Sequence, residues 1–411
     1  MAKYEPKALR NVAIVGHGGT GKTTLCESFL FVSGKTDRPG RVDEGTSSFD
    51  FEPEEQKKRI SIGSAVNFVE WNKHKINLID TPGDSNFSFD TKNCLRIADS
   101  ALIVIDAVGG VEFQTEAVWE YADEFHLPRM VYVNRMDRER ADFAKALESI
   151  RTKLGRKPTP LVIPIGQESG FKGVVDLLAM KALLFEDPKG TPKAADIPAE
   201  LVAEAEKFRE SLVEDIAESD ETLMNKYLEG GTLTSEELNS ALRKAVLSCS
   251  ILPVACGAPL QNIAVANFLD IMVACLPSPV DRGPVTGKKP GKDETEERKP
   301  DPSQPFSAFV FKTIADPYAG KLTLFRVYSG KTTADQGLYN PSKKTHERVG
   351  SLFFLEGKVQ KPTDELIAGD IAAVAKLKET ATGDTLCFEK APILFDKLTP
   401  PPAIMTYAVE P

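Results

Sequence analysis

The chain has 411 residues, 41% of them hydrophobic and 27% charged, which is ordinary for a globular protein with two or three domains. Its net charge of −9 argues against a general nucleic-acid coat, although a basic patch on one domain could still contact RNA. The six cysteines form no C-x-x-C pair, the amino terminus is polar, and no run of about 18 apolar residues occurs. We therefore expect a cytoplasmic protein with neither a zinc site nor a membrane span.

The first predicted element is a buried strand over residues 12–15 that runs directly into a glycine-rich loop. Glycines let successive backbone N–H groups point at phosphates, Lys22 adds a cation, and the hydroxyl of Thr23 can ligate Mg²⁺. The helix that begins near Lys22 adds the positive end of its dipole. A glycine-rich turn that merely precedes a lysine is the alternative, but the order of strand, loop and helix favours a nucleoside triphosphate site. The residues predicted to hold the phosphates are Gly16, His17, Gly18, Gly19, Thr20, Gly21, Lys22, Thr23 and Thr24.

A polar stretch over residues 33–58 predicts a mobile loop. Two strands, over residues 61–69 and 75–79, can then pair, and the second ends in an Asp-Thr-Pro-Gly sequence. Its Asp80 suits a water-bridged Mg²⁺, and the N–H of Gly83 suits a contact to the γ-phosphate. A tight turn is the alternative, but the position one strand after a phosphate loop favours the nucleotide site.

The alternation continues with a strand over residues 101–105, a helix over 115–125 and a strand over 130–133. Strands separated by helices predict a doubly wound, mainly parallel sheet with ligand-binding loops at the strand ends.

The third of these strands leads into Asn134-Arg135-Met136-Asp137. The carboxylate of Asp137 can accept two N–H bonds from the ring edge of guanine, whereas adenine offers no such pair of donors. This loop therefore predicts GTP and GDP as ligands, with Asn134, Arg135 and Asp137 at the base. A solvated Asn-x-x-Asp loop is the alternative.

A strand over residues 252–256, followed by Gly257 and Ala258, should complete the base-binding edge. The intervening chain is far longer than the strand and helix of about 30 residues that this edge needs, so an inserted subdomain is implied. Its first part, residues 161–185, resembles short strands. Its second part is helical, with a capping box at Thr234 and Glu237.

The rest of the chain predicts a closing helix, a linker and a sheet. The helix covers residues 267–276, and residues 282–304 are rich in proline and charge, which indicates a solvated linker. Strands are predicted after the linker, and a small β-barrel is their natural closure. These strands cover residues 306–313, 322–329, 347–354 and 370–375.

With these elements in place, the chain resembles the translational GTPases, most closely elongation factor G. The similarity runs from about residue 8 to the end of the chain. Beyond the Asp-Thr-Pro-Gly sequence, it is carried by Leu276-Pro277-Ser278-Pro279, Ala315-Asp316-Pro317-Tyr318-Ala319-Gly320, Arg326-Val327-Tyr328-Ser329-Gly330, Leu377-Lys378-Glu379-Thr380 and Gly383-Asp384-Thr385.

The resemblance implies an α/β P-loop GTPase domain with an inserted α+β subdomain, followed by an all-β translation-factor barrel. It implies GTP or GDP with Mg²⁺ as ligands, the metal being held by Thr23, Ser61 and Asp80. It also implies a cytoplasmic monomer that contacts the ribosome, both its RNA and its small subunit through the barrel, and that contacts neither DNA nor a membrane. The implied division is a GTP-binding domain in residues 1–160 and 251–281, an insert in 161–250, a linker in 282–304, a barrel in 305–400 and, in 401–411, the start of a following domain that this chain lacks.

The chain departs from the family pattern near the γ-phosphate. Gly18 and Gly19 stand where the family has an apolar residue and an Asp, so Ile60 would lack a partner across the path of the attacking water. Asp84 replaces the His that orients this water. We expect the ionised carboxylate to point away from the γ-phosphate, because the two negative charges repel each other.

Three further departures are milder. Ser61 replaces the Thr that ligates Mg²⁺ and keeps its hydroxyl, and Arg135 replaces the usual Lys and keeps its charge. Pro259 lacks the N–H that normally reaches the guanine O6. The candidate catalytic residues are therefore Lys22, Ser61 and Asp84, and the pattern indicates a divergent paralogue.

Our main hypothesis is a ribosome-associated GTP-binding protein of the elongation factor G family that hydrolyses GTP weakly. The alternative is a nucleotide-gated binding module. In such a module, bound GTP only determines the conformation of the switch loops, and no hydrolysis is needed. A P-loop kinase is disfavoured, because a kinase has no need for the purine-binding loop around Asp137.

Overall fold

The computed structural model describes residues 4–231, 233–316 and 320–402. Residues 4–282, here called the α/β part, contain a seven-stranded and a four-stranded sheet. Their strands are β1 Leu9–Val15, β2 Ala65–Trp71, β3 His74–Asp80, β4 Ser100–Asp106, β5 Arg129–Asn134, β6 Pro158–Pro160, β7 Val162–Ile165, β8 Gly173–Asp176, β9 Lys181–Leu184, β10 Lys193–Ala195 and β11 Leu252–Cys256. The helices are α1 Lys22–Val32, α2 Pro53–Lys58, α3 Ser88–Ile97, α4 Phe113–Glu124, α5 Phe143–Lys153, α6 Val202–Glu218, α7 Glu221–Leu228, α8 Ser235–Leu247, α9 Ala266–Cys275 and α10 Pro279–Arg282.

The seven-stranded sheet has the order β2-β3-β1-β4-β5-β11-β6. All its strand pairs are parallel except β2 with β3. Every residue of β1 and β4 is buried, as expected for parallel strands that helices cover on both faces. The carboxyl ends of β1, β3, β4 and β5 therefore meet at one edge of the sheet, where the phosphate loop and the other predicted site loops lie.

The four-stranded sheet has the order β10-β9-β8-β7, and α6 to α8 follow it along the chain. Strands and helices thus occur in the insert in the predicted order. The capping box is also confirmed, because Thr234 accepts from the N–H of Glu237 while the Glu237 side chain accepts from the N–H of Thr234.

Residues 283–402, here called the β part, form antiparallel sheets. Their strands are β12 Val285–Lys288, β13 Thr295–Arg298, β14 Ser307–Asp316, β15 Gly320–Ser329, β16 Lys331–Thr333, β17 Gly337–Asn340, β18 Thr345–Arg348, β19 Leu352–Glu356, β20 Val359–Thr363, β21 Glu365–Ile367, β22 Ile371–Ala375 and β23 Thr385–Cys387. Eight of them form one sheet in the order β18-β17-β23-β14-β15-β22-β19-β20, while β16 pairs with β21 and β12 with β13.

The α/β part and the β part share a buried junction. Arg326 on β15 donates to Oδ1 of Asp99, which lies between α3 and β4, at 2.6 Å. It also donates to the carbonyl oxygen of Ile97, the last residue of α3. Phe68 on β2 packs against Phe354 on β19 with 6.3 Å between ring centroids. Within the described ranges, no helix is long and apolar enough to cross a membrane.

Some predicted stretches differ from the structure. Residues 282–304 are not simply a solvated linker, because β12 and β13 form a hairpin there and Lys288 exchanges two 2.8 Å backbone hydrogen bonds with Leu394. The mobile loop predicted at 33–58 ends in α2, which buries Glu55. The single strand predicted at 347–354 is divided between β18 and β19.

The predicted strand at 61–69 begins only at Ala65, which leaves Ser61 in a loop. In the family sequence that begins at Ala315, residues 317–319 lie outside the described residues, and so do residues 403–411 of the predicted following domain.

Candidate functional site

A cleft of about 700 Å³ opens at the carboxyl edge of the parallel sheet. The residues that line it are His17, Gly18, Gly19, Gly21, Lys22, Thr23, Thr24, Val42, Asp43, Asp50, Arg59, Ile60, Ser61, Gly83, Asp84, Ser85, Phe113, Gln114, Asn134, Arg135, Asp137, Arg138, Pro259 and Leu260. The cleft therefore brings together the three loops that the sequence singles out, after β1, β3 and β5.

The phosphate loop wraps around the side chain of Lys22. Its Nζ donates to the carbonyl oxygens of Gly16 at 3.0 Å and His17 at 2.9 Å, and burial lowers the pKa of Lys22 to about 8. Gly16 has φ 145° and lies against the carbonyl of Val104, so a side chain there would overlap with β4. The ammonium group is thus fixed at the floor of the cleft, where it can contact phosphate oxygens.

A cluster of hydroxyl and carboxyl groups lies beside this lysine. Thr23 Oγ1 donates to Oδ2 of Asp80 at 2.7 Å, and the Ser61 hydroxyl lies 3.2 Å from the Thr23 hydroxyl. Burial and the nearby negative charge of Asp50 raise the pKa of Asp80 to about 8, and burial raises the pKa of Asp50 to about 6. One oxygen of each carboxylate, Oδ1 of Asp80 and Oδ2 of Asp50, is buried without a hydrogen-bond partner in the part of the chain that the structure describes.

These groups fit a divalent cation. Buried carboxylate oxygens without a donor are costly unless a cation or another ligand compensates them. In the described part of the chain, no three His, Cys, Asp or Glu side chains could hold a metal by themselves. Mg²⁺ also accepts hydroxyl and phosphate oxygens, so Thr23, Ser61 and Asp80 suit a cation that arrives with a nucleotide. Our sequence analysis did not identify Asp50 as a site residue. Its local sequence gives only a weak indication, since Asp50 stands between two aromatic residues in a polar stretch.

The Asn-x-x-Asp loop is tied to the phosphate loop. Asn134 Nδ2 donates to the carbonyl of Thr20 at 2.7 Å, and its Oδ1 accepts from the N–H of Arg135 at 2.7 Å. The Arg135 guanidinium turns away from this contact and donates to Asp106 at 3.0 Å. Asn134 therefore fixes the distance between the two loops, and Arg135 braces the end of β4.

Asp137 lies half-buried at the rim of the cleft, where its Oδ2 accepts from Gln261 Nε2 at 3.0 Å. A carboxylate has about four acceptor positions, so this bond leaves room for two N–H donors of a guanine edge. Gln261 is a second residue that the sequence reasoning missed, because nothing in its local pattern places it 3.0 Å from residue 137.

Gly257 and Ala258 do not line the cleft, contrary to the sequence interpretation. Their N–H groups donate to the carbonyls of Val133 at 3.0 Å and Ile263 at 3.1 Å, so neither is available to a base. Pro259 and Leu260 line the cleft in their place. The other predicted residues without a place in the lining, Gly16, Thr20 and Asp80, contribute bonds to Lys22, Asn134 and Thr23.

Asp84 precedes a short 3-10 turn and is exposed at the opening of the cleft. Its Oδ1 accepts from the N–H of Asn86 at 2.9 Å, which holds the carboxylate to its own turn. Ile60 is 45% exposed. Phe113 and Gln114, at the start of α4, also line the cleft, and no local pattern had singled them out.

Together, the fold and these loops define a P-loop nucleotide-binding protein with a guanine-type base loop. Residues 7–278 match the family model of the elongation factor Tu GTP binding domain, and residues 305–389 match that of elongation factor G domain 2. The chain therefore belongs to the translational GTPase family, whose GTPase domain binds GTP and GDP.

A solved structure shares this fold along most of the chain. The crystal structure of a protein from Thermus thermophilus matches with a TM-score of 0.84 and 32% sequence identity. The match covers 96% of this chain and 57% of that chain, so the protein described here spans just over half the length of that relative.

Proposed function

We propose that this protein is a guanine-nucleotide switch that acts on the ribosome during translation elongation and hydrolyses GTP slowly, in the manner of a divergent elongation factor G. The observation that carries the proposal is the cleft itself, which presents Lys22, the Thr23–Asp80 pair and Asp137 to one ligand. The β part supports the ribosomal role, because it matches domain 2 of elongation factor G. The proposed setting is cytoplasmic and the proposed state monomeric.

The roles of the residues follow from their contacts. Lys22 and the backbone N–H groups of its loop bind the β- and γ-phosphates, while Asn134 holds this loop to the base loop. A bound Mg²⁺ would neutralise phosphate charge, with Thr23 and Ser61 as direct ligands and Asp80 as acceptor for its water. The N–H of Gly83 would donate to the γ-phosphate, since this residue lies directly against Lys22 and Gly18.

A second candidate function is a GTP-gated binding module with little or no turnover. It is favoured by Asp84, whose carboxylate accepts from the N–H of Asn86 in its own turn and would be repelled by a phosphate. Single-turnover hydrolysis of radiolabelled GTP, with and without ribosomes, separates the two functions. A rate that ribosomes increase supports the slow GTPase, and tight GTP binding without phosphate release supports the module.

An Asp84→His variant sharpens this test. A neutral imidazole is not repelled by the γ-phosphate and can accept a proton from water. We expect faster ribosome-stimulated hydrolysis and an unchanged affinity for GDP, which does not contain the γ-phosphate. Phosphate release by wild type at the rate of an ordinary elongation factor G would show that Asp84 is no handicap.

A further inference from the structure

Gln114 is a buried amide with a free donor at the phosphate end of the cleft. The residue is 2% exposed and lines the cleft together with Gly18, Gly83 and Asp84, and its Nε2 has no hydrogen-bond partner among the described residues. An unpaired buried amide costs about 1–3 kcal/mol, so such groups usually meet a ligand or a water molecule. Its position in the lining of the cleft, with residues of the phosphate-binding loops, indicates that this ligand is a phosphate group or the water beside it.

The backbone that carries Gln114 is well anchored. Glu112 caps α4 through a reciprocal pair of hydrogen bonds with Thr115, one residue on either side of the Phe113-Gln114 pair. Glu112 also lies 3.5 Å from Nε2 of His17, in the phosphate loop. The start of α4 is therefore held against the phosphate loop, and the Gln114 amide belongs to the same rigid edge as Gly18.

His17 gives a second, independent sign of a ligand at this edge. Its Nδ1 is buried and has no hydrogen-bond partner among residues 4–231, 233–316 and 320–402, although Nε2 faces Glu112. Gln114 and His17, two polar side chains that line the cleft, thus each have one unsatisfied hydrogen-bonding atom. The carboxylate of Asp84, by contrast, accepts from the N–H of Asn86 in its own turn.

We propose that Gln114 is a catalytic residue that positions the attacking water against the γ-phosphate. It would take over the task of the family's His, which is replaced here by Asp84. A neutral amide can do both parts of this task, because its N–H₂ donates to a phosphate oxygen and its carbonyl accepts from water. The water oxygen forms a bond to the γ-phosphorus, and the bond to the β–γ bridging oxygen breaks with its electron pair on GDP. The protons of the water leave with the inorganic phosphate and the solvent. This role rests on the proposed GTPase function.

Gln114→Met removes the amide and keeps the length of the side chain. Because Nε2 has no partner in the fold, we expect the melting temperature to stay within a few degrees of wild type or to rise. Single-turnover hydrolysis on ribosomes should fall about a hundredfold to a thousandfold, as when one transition-state hydrogen bond is lost. Binding of a fluorescent GDP should not change. Hydrolysis equal to wild type in a folded Gln114→Met protein would overturn the proposal.

Gln114→Glu supplies a readout that does not depend on turnover. The carboxylate keeps an acceptor but repels the γ-phosphate, so the affinity for a non-hydrolysable GTP analogue should fall at least about tenfold relative to GDP. A merely structural role would lower both affinities together, and that result also contradicts the proposal.

Asn267→Leu is the matched control. Asn267, on α9, is a buried amide with one unpaired atom, Oδ1, and it does not line the cleft. We expect this variant to leave both the hydrolysis rate and the ratio of the two affinities unchanged. If wild-type protein binds guanine nucleotides but never hydrolyses GTP, the slow GTPase fails, and the affinity ratio of Gln114→Glu still decides whether Gln114 contacts the γ-phosphate.

Discussion

Asp99, at the junction of the two parts, and Asp80, in the cleft, are both buried carboxylates that are at most 2% exposed. Asp99 accepts from Arg326 on Oδ1 at 2.6 Å and from Asn11 on Oδ2 at 2.8 Å. Asp80 accepts from the hydroxyl of Thr23 on Oδ2, whereas its Oδ1 has no hydrogen-bond partner within the described ranges. Side chains of the protein thus bond both oxygens of Asp99, whereas one oxygen of Asp80 is left for a ligand such as a cation bound with the nucleotide.

The same contrast holds for the neighbours of each carboxylate. Asn11 also donates to the carbonyl of Gly369 and accepts from Asn77, so its amide bridges both parts of the molecule. In the cleft, Asp50 and Gln114 keep unpaired atoms. At the junction, Nε of Arg326 and Nε of Arg96 are also unpaired among the described residues. Both terminal nitrogens of Arg326 are nevertheless bonded, and Arg96 donates through Nη2 to the carbonyl of Asp396. The two carboxylates thus differ in how far the described residues satisfy them, because both oxygens of Asp99 are bonded and one oxygen of Asp80 is not.

The largest expected effect concerns the junction. Replacing Arg326 by Leu leaves Asp99 buried without its cation, and breaking a buried ion pair in this way costs about 3–5 kcal/mol. We expect the midpoint of urea denaturation to fall accordingly. Arg348→Leu is the control, because Arg348 and Asp335 are 80% and 78% exposed and such pairs contribute about 0–1 kcal/mol. Equal shifts for the two variants would contradict the contrast.

The next effect concerns pH and the cleft. Because its folded pKa is raised to about 8, Asp80 stabilises the cation-free fold most below pH 4, and this contribution is lost as the pH rises through about 8. Mg²⁺ must displace that proton, so Mg²⁺ should strengthen GDP binding at least about tenfold more at pH 8 than at pH 6.

Titration of fluorescent GDP with and without Mg²⁺ at the two pH values measures this difference. Asp80→Asn cannot ionise and should abolish the pH dependence. A wild-type protein whose Mg²⁺ effect is the same at both pH values would show that Asp80 is already ionised in the cation-free cleft.

The smallest effect concerns Lys312, a residue of the β part that binds residues of the α/β part close to the cleft. Lys312, on β14, donates to Asp90 Oδ2 at 2.8 Å and to the carbonyl and hydroxyl of Ser64, each at 2.9 Å. Ser64 follows closely after Ser61 of the cleft. Since both charges are partly exposed, we expect Lys312→Met to cost about 1 kcal/mol in urea denaturation. Lys288→Met, at an exposed pair with Asp396, should cost less. A larger loss for Lys288→Met would refute this ranking.

The sequence predicts those parts of the site that lie next to strands. Asp80 and Asn134 each end an apolar run, and the loop that carries Lys22 directly follows another. The parallel order of these strands brings the three loops to one edge of the sheet. The bounds of β11 agree with the prediction to the residue, and those of β4 to within one residue at each end, because both strands are continuous buried segments bounded by loops.

The rest depends on distances that no local pattern encodes. Arg326 and Asp99 are 227 positions apart, and the Gln261–Asp137 bond spans 124 positions. The hairpin of β12 and β13 is missed because its residues are charged, and backbone pairing with Leu394 rather than apolar burial holds it. Gly257 and Ala258 are misplaced because tertiary hydrogen bonds already use their N–H groups.

The central claim, a guanine-specific site, is tested most directly by exchanging the base that Asp137 binds. In wild type, GDP and GTP should displace fluorescent GDP, while ADP and ATP should not. Asp137→Asn loses a charge-assisted pair worth about 1.5–3 kcal/mol, so GDP should bind about tenfold to a hundredfold more weakly. Xanthosine diphosphate should bind the variant more tightly than wild type, because an amide N–H can donate to the oxygen that replaces the guanine amino group. Equal displacement of fluorescent GDP by ATP and GTP in wild type would contradict the account.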